Sequence, residues 1–219
     1  MGKVIAPPRH SYCAGSPMDR LLTLTTALLG IVLVALGCSS QPYGDTGANW
    51  VTLLDGTTGL DNWIRVGDAN WRVVDGTIQA DQKTDKANSF LVTKNSYTDF
   101  RIRAEFWVSD DANSGIYMRC ADIKNLTDRT CYEANIFDQR PDPTFGTGSI
   151  VHLSPVSPMP KAGGKWNTYD VTVKGSRVTV TLNGVVTADI QDTKFTSGPI
   201  ALQYAAGVVK FRKVQISPL

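Results

Sequence analysis

Between Phe100 and Val108 the chain alternates strictly: Phe100, Ile102, Ala104, Phe106 and Val108 are separated by Arg101, Arg103, Glu105 and Trp107. A period of two predicts a strand with one buried face. Asp170 to Lys174 and Arg177 to Leu182 flank Gly175-Ser176, and Asn183-Gly184 then leads into Val185-Val186-Thr187. Asp75-Gly76 stands in the same way between Trp71-Arg72-Val73-Val74 and Thr77-Ile78. Two-residue turns of these kinds between strand-like runs predict hairpins. No segment after residue 48 carries a helical period, so residues 49–219 are expected to form one all-β domain, a two-sheet sandwich.

Two of the predicted strands carry ionisable groups. In Asn113-Ser114-Gly115-Ile116-Tyr117-Met118-Arg119, Ile116 and Met118 point one way, which leaves Gly115, Tyr117 and Arg119 on the other face. In Tyr132-Glu133-Ala134-Asn135-Ile136-Phe137-Asp138, the residues Tyr132, Ala134 and Ile136 take the apolar side, opposite Glu133, Asn135 and Phe137. A face with an Arg, a Glu, an amide and aromatic rings suits a sugar: rings pack on the C–H faces of a pyranose while forked donors and carboxylates bind its oxygens. The Pro- and Gly-rich segments Gln139 to Gly148 and Ser154 to Lys165 are long connections expected to rim a cleft. His152 lies between them and is a candidate acid or base.

The N-terminus predicts the compartment. Leu21 to Leu36 is an almost uncharged apolar run ending at Ala35-Leu36-Gly37-Cys38. This is a signal-peptide core closed by small residues before a cysteine, as in bacterial lipoproteins. Residues 1–37 are thus expected to be a leader, Cys38 the lipidation site and residues 38–48 a tether. Met18-Asp19-Arg20 forms a conventional short start, so Met18 competes with Met1 as the initiator. An uncleaved membrane anchor is the competing expectation. Export to the bacterial envelope permits a disulfide between Cys120 and Cys131, as against two free thiols. Parity requires at least one of the two to sit beyond its strand. With only His10 and His152 and no paired Cys-x-x-Cys spacing, no metal centre is expected. A formal charge of +2 gives nucleic-acid binding no electrostatic support.

The frame Leu54-Asp55-Gly56, Trp71-Arg72-Val73-Val74-Asp75-Gly76, Asn113-Ser114-Gly115-Ile116 with Arg119, Tyr132-Glu133, Thr147-Gly148, Lys165-Trp166-Asn167, Leu182-Asn183-Gly184, Gly198-Pro199-Ile200-Ala201-Leu202-Gln203 and Phe211-Arg212 resembles the 3-keto-disaccharide hydrolase family, also called the 3-keto-glucoside lyase and hydratase domain. The resemblance spans essentially all of residues 49–219. It implies a concanavalin A-like jelly roll, a glycoside or oligosaccharide substrate oxidised at C3, and a functionally linked sugar 3-dehydrogenase. The chain departs from the family where Gln203 is followed by Tyr204-Ala205-Ala206-Gly207, where members often carry His, and at Lys213, where many have Asn.

A ketone at C3 acidifies the C2 hydrogen, so a base forms an enolate that expels the C1 substituent, and water then adds to the double bond. The step needs a general base and a donor for the enolate oxygen. Glu133 or Asp138 is the candidate base; Arg119, with Gln203 or Arg212, is the candidate donor. Tyr117, Asn135, Gln203, Arg212 and His152 are the expected sugar contacts. No cofactor is expected, and composition leaves assistance by a divalent cation open.

Two other functions fit the same residues. The spacing from Glu133 to Asp138 resembles the acidic strand of jelly-roll glucanases, in which a bulge returns the last acid to the face of the first. A retaining glycosidase would place those carboxylates about 5–5.5 Å apart. The second is a non-catalytic surface module that only binds sugar. A structural Arg119–Glu133 pair is the corresponding expectation without chemistry.

The leader generates a direct prediction. Mass spectrometry of the membrane-extracted protein is expected to find an acylated N-terminus at Cys38; an intact leader would contradict it.

Overall fold

Thirteen strands make up nearly all the regular structure of residues 49–219, the part of the chain that the computed structural model describes. The apolar run, Cys13, Cys38 and the tether lie outside the described residues. In chain order the strands are β1 Val51–Asp55, β2 Trp63–Val66, β3 Arg72–Val74, β4 Thr77–Ala80, β5 Ser89–Thr93, β6 Phe100–Val108 and β7 Ser114–Met118. Then follow β8 Tyr132–Ile136, β9 Trp166–Lys174, β10 Arg177–Leu182, β11 Val185–Gln191, β12 Ala201–Tyr204 and β13 Val209–Pro218. An eight-stranded sheet runs β11-β10-β9-β6-β13-β4-β3, with β1 also on β13; a five-stranded sheet runs β2-β5-β12-β7-β8. Every pairing is antiparallel. The two sheets pack as the expected jelly-roll sandwich.

The alternation in β6 is realised residue for residue: Phe100, Ile102, Ala104, Phe106 and Val108 are buried, and the residues between them are partly exposed. They meet Ile116 and Met118 of β7 and Tyr132, Ala134 and Ile136 of β8 in one core. The three predicted hairpins form. Asp75 and Gly76 have φ of 46° and 71°, and Asn183 and Gly184 have φ of 51° and 84°, as turns with two left-handed residues require.

Strands β5, β7, β8 and β12 are buried along their whole length, on both faces. One face meets the large sheet. On the other, Phe90, Val92, Tyr117, Ala201 and the loop residue Leu126 make a second apolar cluster with Cys120 and Cys131. Those two cysteines are disulfide-bonded with Cα atoms 4.3 Å apart, and both lie just outside their strands, as parity demanded. Closing this loop stabilises the fold by roughly 2–3 kcal/mol on the chain-entropy estimate.

Arg119 corrects the strand count. It follows the last residue of β7 with φ of 50°, a left-handed turn that breaks the alternation, so its side chain does not share a face with Glu133. The guanidinium is 1% exposed and all five of its N–H groups are used. Nε and Nη2 donate to Thr98 O at 2.8 and 2.5 Å, Nη1 to Gly175 O and Phe195 O at 2.8 and 3.0 Å, and Nη2 to Asp99 Oδ1 at 3.0 Å. Gly175 belongs to the β9–β10 turn, so Arg119 ties the small sheet to the large one. It is not the partner of Glu133, and its donors are all taken within the protein.

Removing this tie leaves buried carbonyls without donors. Arg119→Ala is expected to lower the unfolding free energy by about 3–5 kcal/mol, read by urea denaturation. Unchanged stability with lost activity would return Arg119 to the site.

Candidate functional site

The site lies on the face of the small sheet turned away from the large one. Register builds it: Tyr117 of β7 pairs directly with Glu133 of β8 on one side and Ala201 of β12 on the other. Gly115 pairs with Asn135, and Phe90 of β5 pairs with Gln203. Gln203 Nε2 donates to the Tyr117 hydroxyl at 2.9 Å, and that hydroxyl is hydrogen-bonded in turn to the Glu133 carboxyl. An amide, a phenol and a carboxyl therefore form one chain across three strands. Gly115 makes room for it, because a Cβ at this position would stand 2.8 Å from Glu133 Oε1.

Burial sets the chemistry of the chain. Glu133 is 4% exposed, and desolvation pushes its pKa up to about 8. The Tyr117 hydrogen bond opposes that rise; the charge of Asp128 adds to it and the charge of Arg140 counters it. The Tyr117 phenol is pushed well above its ordinary value by burial first and by the Glu133 charge second. With a pKa near 8, Glu133 holds its proton at neutrality in about nine molecules in ten. It is poised to exchange a proton close to working pH, as an acid–base catalyst requires.

Three buried polar atoms complete the picture. Gln203 Oε1, Asn135 Oδ1 and Ser149 Oγ have no hydrogen-bond partner. Asn135 uses its amide Nδ2 on Phe145 O at 2.6 Å, which leaves the oxygen unmatched. Unmatched acceptors beside a protonatable carboxyl fit a ligand rich in hydroxyl donors.

The rim comes from three loops. Val151 N donates to Glu133 O at 3.1 Å, so the backbone just before His152 runs along the edge of β8. His152 Nε2 is 3.0 Å from Asp128 Oδ2, and its ring stands 6.0 Å from that of Phe145. Asp128 belongs to the loop closed by the disulfide, and Arg140 to the Pro-rich loop after β8. Neither was singled out by sequence. The signal for Arg140 was its place in the Gln139 to Gly148 loop already marked as rim; Asp128 lies in the loop between the two cysteines, which carried no such signal, and strand parity says nothing about loop side chains.

The sequence-derived residues thus divide. Glu133, Tyr117, Asn135 and Gln203 come together, with His152 at the rim, while Arg119, Asp138 and Arg212 do not. Asp138 follows the end of β8, and its carboxylate accepts from Thr147 Oγ1 at 2.6 Å, Ala162 N at 2.9 Å and Gly163 N at 2.9 Å. It clamps loops together and is not the free second carboxylate that a retaining glycosidase needs. Arg212 lies on the outer face of the large sheet, bonded to Glu105 and stacked 4.3 Å from the Trp166 ring. A cleft of about 540 Å³ between the Pro155–Pro160 loop and Val185–Thr187 is lined without Glu133 or Tyr117. The titratable groups converge instead at Glu133, where Tyr117, Asp128 and Arg140 act on its carboxyl. Among the described residues no three His, Cys, Asp or Glu side chains gather as a metal site.

Residues 49–217 match the model of the 3-keto-alpha-glucoside-1,2-lyase-like domain. No curated protein matches the chain. Among solved structures, a protein of Parabacteroides distasonis assigned as a glycosyl hydrolase aligns with a TM-score of 0.64 at 21% identity, over 78% of this chain and 94% of its own. Porphyranase B of Zobellia galactanivorans aligns at 0.57 and 10% identity, over 82% and 97%. A Crh5 transglycosylase in complex with NAG aligns at 0.56 and 16%, over 78% and 84%. At these identities the likeness is one of fold.

The raised pKa is also a statement about stability. Between the ordinary glutamate value of 4.5 and about 8 the folded protein holds a proton that the unfolded chain has lost. The contribution of Glu133 is therefore full below this window and is lost as pH rises through it. Glu133→Gln is expected to be more stable than wild type at pH 9, with the advantage disappearing toward pH 5, in thermal melts. A variant destabilised equally at both pH values would contradict this.

Proposed function

The chain belongs to the 3-keto-alpha-glucoside-1,2-lyase-like family, and from that premise we propose that it cleaves 3-keto-glycosides or 3-keto-disaccharides by elimination and hydration at the Glu133 site. The observation that carries the proposal is the buried Gln203–Tyr117–Glu133 chain, which holds a carboxyl with a pKa near 8 beside unmatched acceptors. In this reaction the ionised Glu133 takes the C2 proton of a 3-keto sugar and the enolate expels the C1 oxygen substituent. The leaving oxygen is protonated, and water adds across the double bond with its hydroxyl on C1 and its hydrogen on C2. The net change is hydrolysis, without an oxocarbenium ion.

Each residue has a role in that sequence. Tyr117 orients Glu133, and Gln203 orients Tyr117. Gln203 Oε1 and Asn135 Oδ1 accept from sugar hydroxyls. Arg140, whose charge already reaches both Glu133 and Tyr117, replaces Arg119 as the cation for the developing enolate. His152, held by Asp128, supplies the leaving-group proton. The setting we propose is the bacterial envelope, with the domain exported and lipid-anchored at Cys38, acting on the product of a sugar 3-dehydrogenase.

The purified domain is expected to turn over a 3-keto-glucoside and to leave the unoxidised parent intact. Glu133→Gln should lose about 10²–10⁴-fold in kcat. Because the ionised form is the base, kcat/KM should rise with pH and level off above about 8. Asp128→Asn removes a charge that raises the Glu133 pKa, so this limb moves to lower pH; Arg140→Gln moves it higher. Binding without turnover would favour a sugar-binding module, and wild-type turnover by Glu133→Gln would remove the assignment.

A further inference from the structure

The face of the molecule opposite the site carries its own pattern. On the outer side of the large sheet Trp107 of β6 pairs with Trp166 of β9 and with Lys210 of β13, and Glu105 pairs with Lys213. Lys210 Nζ lies 4.9 Å from the centre of the Trp107 ring, and Arg212 Cζ lies 4.3 Å from that of Trp166. Arg101 and Arg103 stand 5.5 and 4.9 Å from the Trp50 ring.

Charge on these central strands is one-sided. Arg101, Arg103, Lys210, Arg212 and Lys213 face two acids, Asp170 and Glu105. Asp170 serves both Arg101 and Arg103 at 2.7 and 2.6 Å, and Glu105 serves Arg212. Lys210 and Lys213 meet no carboxylate among the described residues. Over the whole chain Lys and Arg number 22 against 20 Asp and Glu, so this excess is local. Trp166 is 38% exposed, and tryptophan beside Lys and Arg is the composition that settles at a membrane interface.

The chain also reaches the domain here, since Trp50 is stacked by Arg101 and Arg103 at the start of the described residues. Cys38 precedes Trp50 by twelve residues, a span of roughly 40 Å at full extension. A domain tied at Cys38 is therefore held within reach of the bilayer by the side that bears the cations.

We propose that the outer face of the large sheet docks on anionic phospholipid headgroups, with Lys210, Lys213 and Trp166 at its centre, leaving the Glu133 face turned to the envelope space. This docking rests on the anchoring at Cys38 for its setting, but its chemistry belongs to the folded domain alone.

Residues 49–219 hold the complete sandwich and core, so this domain is the protein to test. It should co-sediment with phosphatidylglycerol–phosphatidylcholine vesicles and not with phosphatidylcholine alone, and binding should be lost in 0.5 M salt. K210E/K213E should weaken binding by about tenfold or more while keeping 3-keto-glucoside turnover. Trp166→Ser should weaken it less. Equal binding to both vesicle types, or to wild type and K210E/K213E, would overturn the proposal. Tighter capture by soluble alginate than by the anionic vesicles would overturn it in favour of an acidic glycan. Because the tested domain lacks Cys38, a failed lipidation result leaves this outcome unaffected, and the two readings fail separately.

Discussion

Burying the Glu133 carboxyl on the second face of the small sheet sets the terms for everything around it. A carboxylate removed from water is strongly penalised, and the protein answers by keeping the proton up to a pH near 8. Such a group needs a neighbour to hydrogen-bond its charged form. Tyr117 does so from the adjacent strand, Gln203 fixes Tyr117 from the next, and Gly115 leaves the volume in which the carboxyl lies. The same desolvation makes the group useful, because an acid–base catalyst works best when its pKa sits near the operating pH.

That burial depends on loops, and each loop is fastened by a different kind of bond. The Cys120–Cys131 disulfide closes the segment that lays Leu126 over the small sheet and carries Asp128 to His152. Asp138 gathers the chain after β8 by accepting from the amides of Ala162 and Gly163. Arg119 joins the end of β7 to the β9–β10 turn. Four residues that the sequence singled out, Cys120, Cys131, Asp138 and Arg119, thus fasten the loops around the two sheets.

The fold was legible wherever local rules suffice. The alternation of β6 named its buried face, and the Asp75-Gly76 and Asn183-Gly184 turns named their hairpins, because side-chain period and left-handed glycine turns are properties of neighbouring residues. Parity also placed Glu133, Tyr117 and Asn135 correctly, since all three lie inside strands that run unbroken. It failed just beyond the strand ends. Arg119 follows Met118 with a left-handed φ, and Asp138 comes after β8 has ended at Ile136, so counting by twos no longer says where either points. Arg212 was lost for another reason: a bulge between Phe211 and Lys213 interrupts its strand, and no local pattern says which of two sheets a strand joins. Asp128 and Arg140 reach the site through loop closure, which sequence order conceals.

The account stands on one property, a buried carboxyl that keeps its proton to about pH 8. The chain contains two glutamates, Glu105 and Glu133, so carboxyl ¹³C labelling of glutamate gives two NMR signals that Glu133→Gln assigns at once. The signal of Glu133 is predicted to titrate near pH 8 in the free protein. A Glu133 signal that titrates near 4.5, the ordinary glutamate value, would contradict the desolvated site and with it the role assigned to this residue.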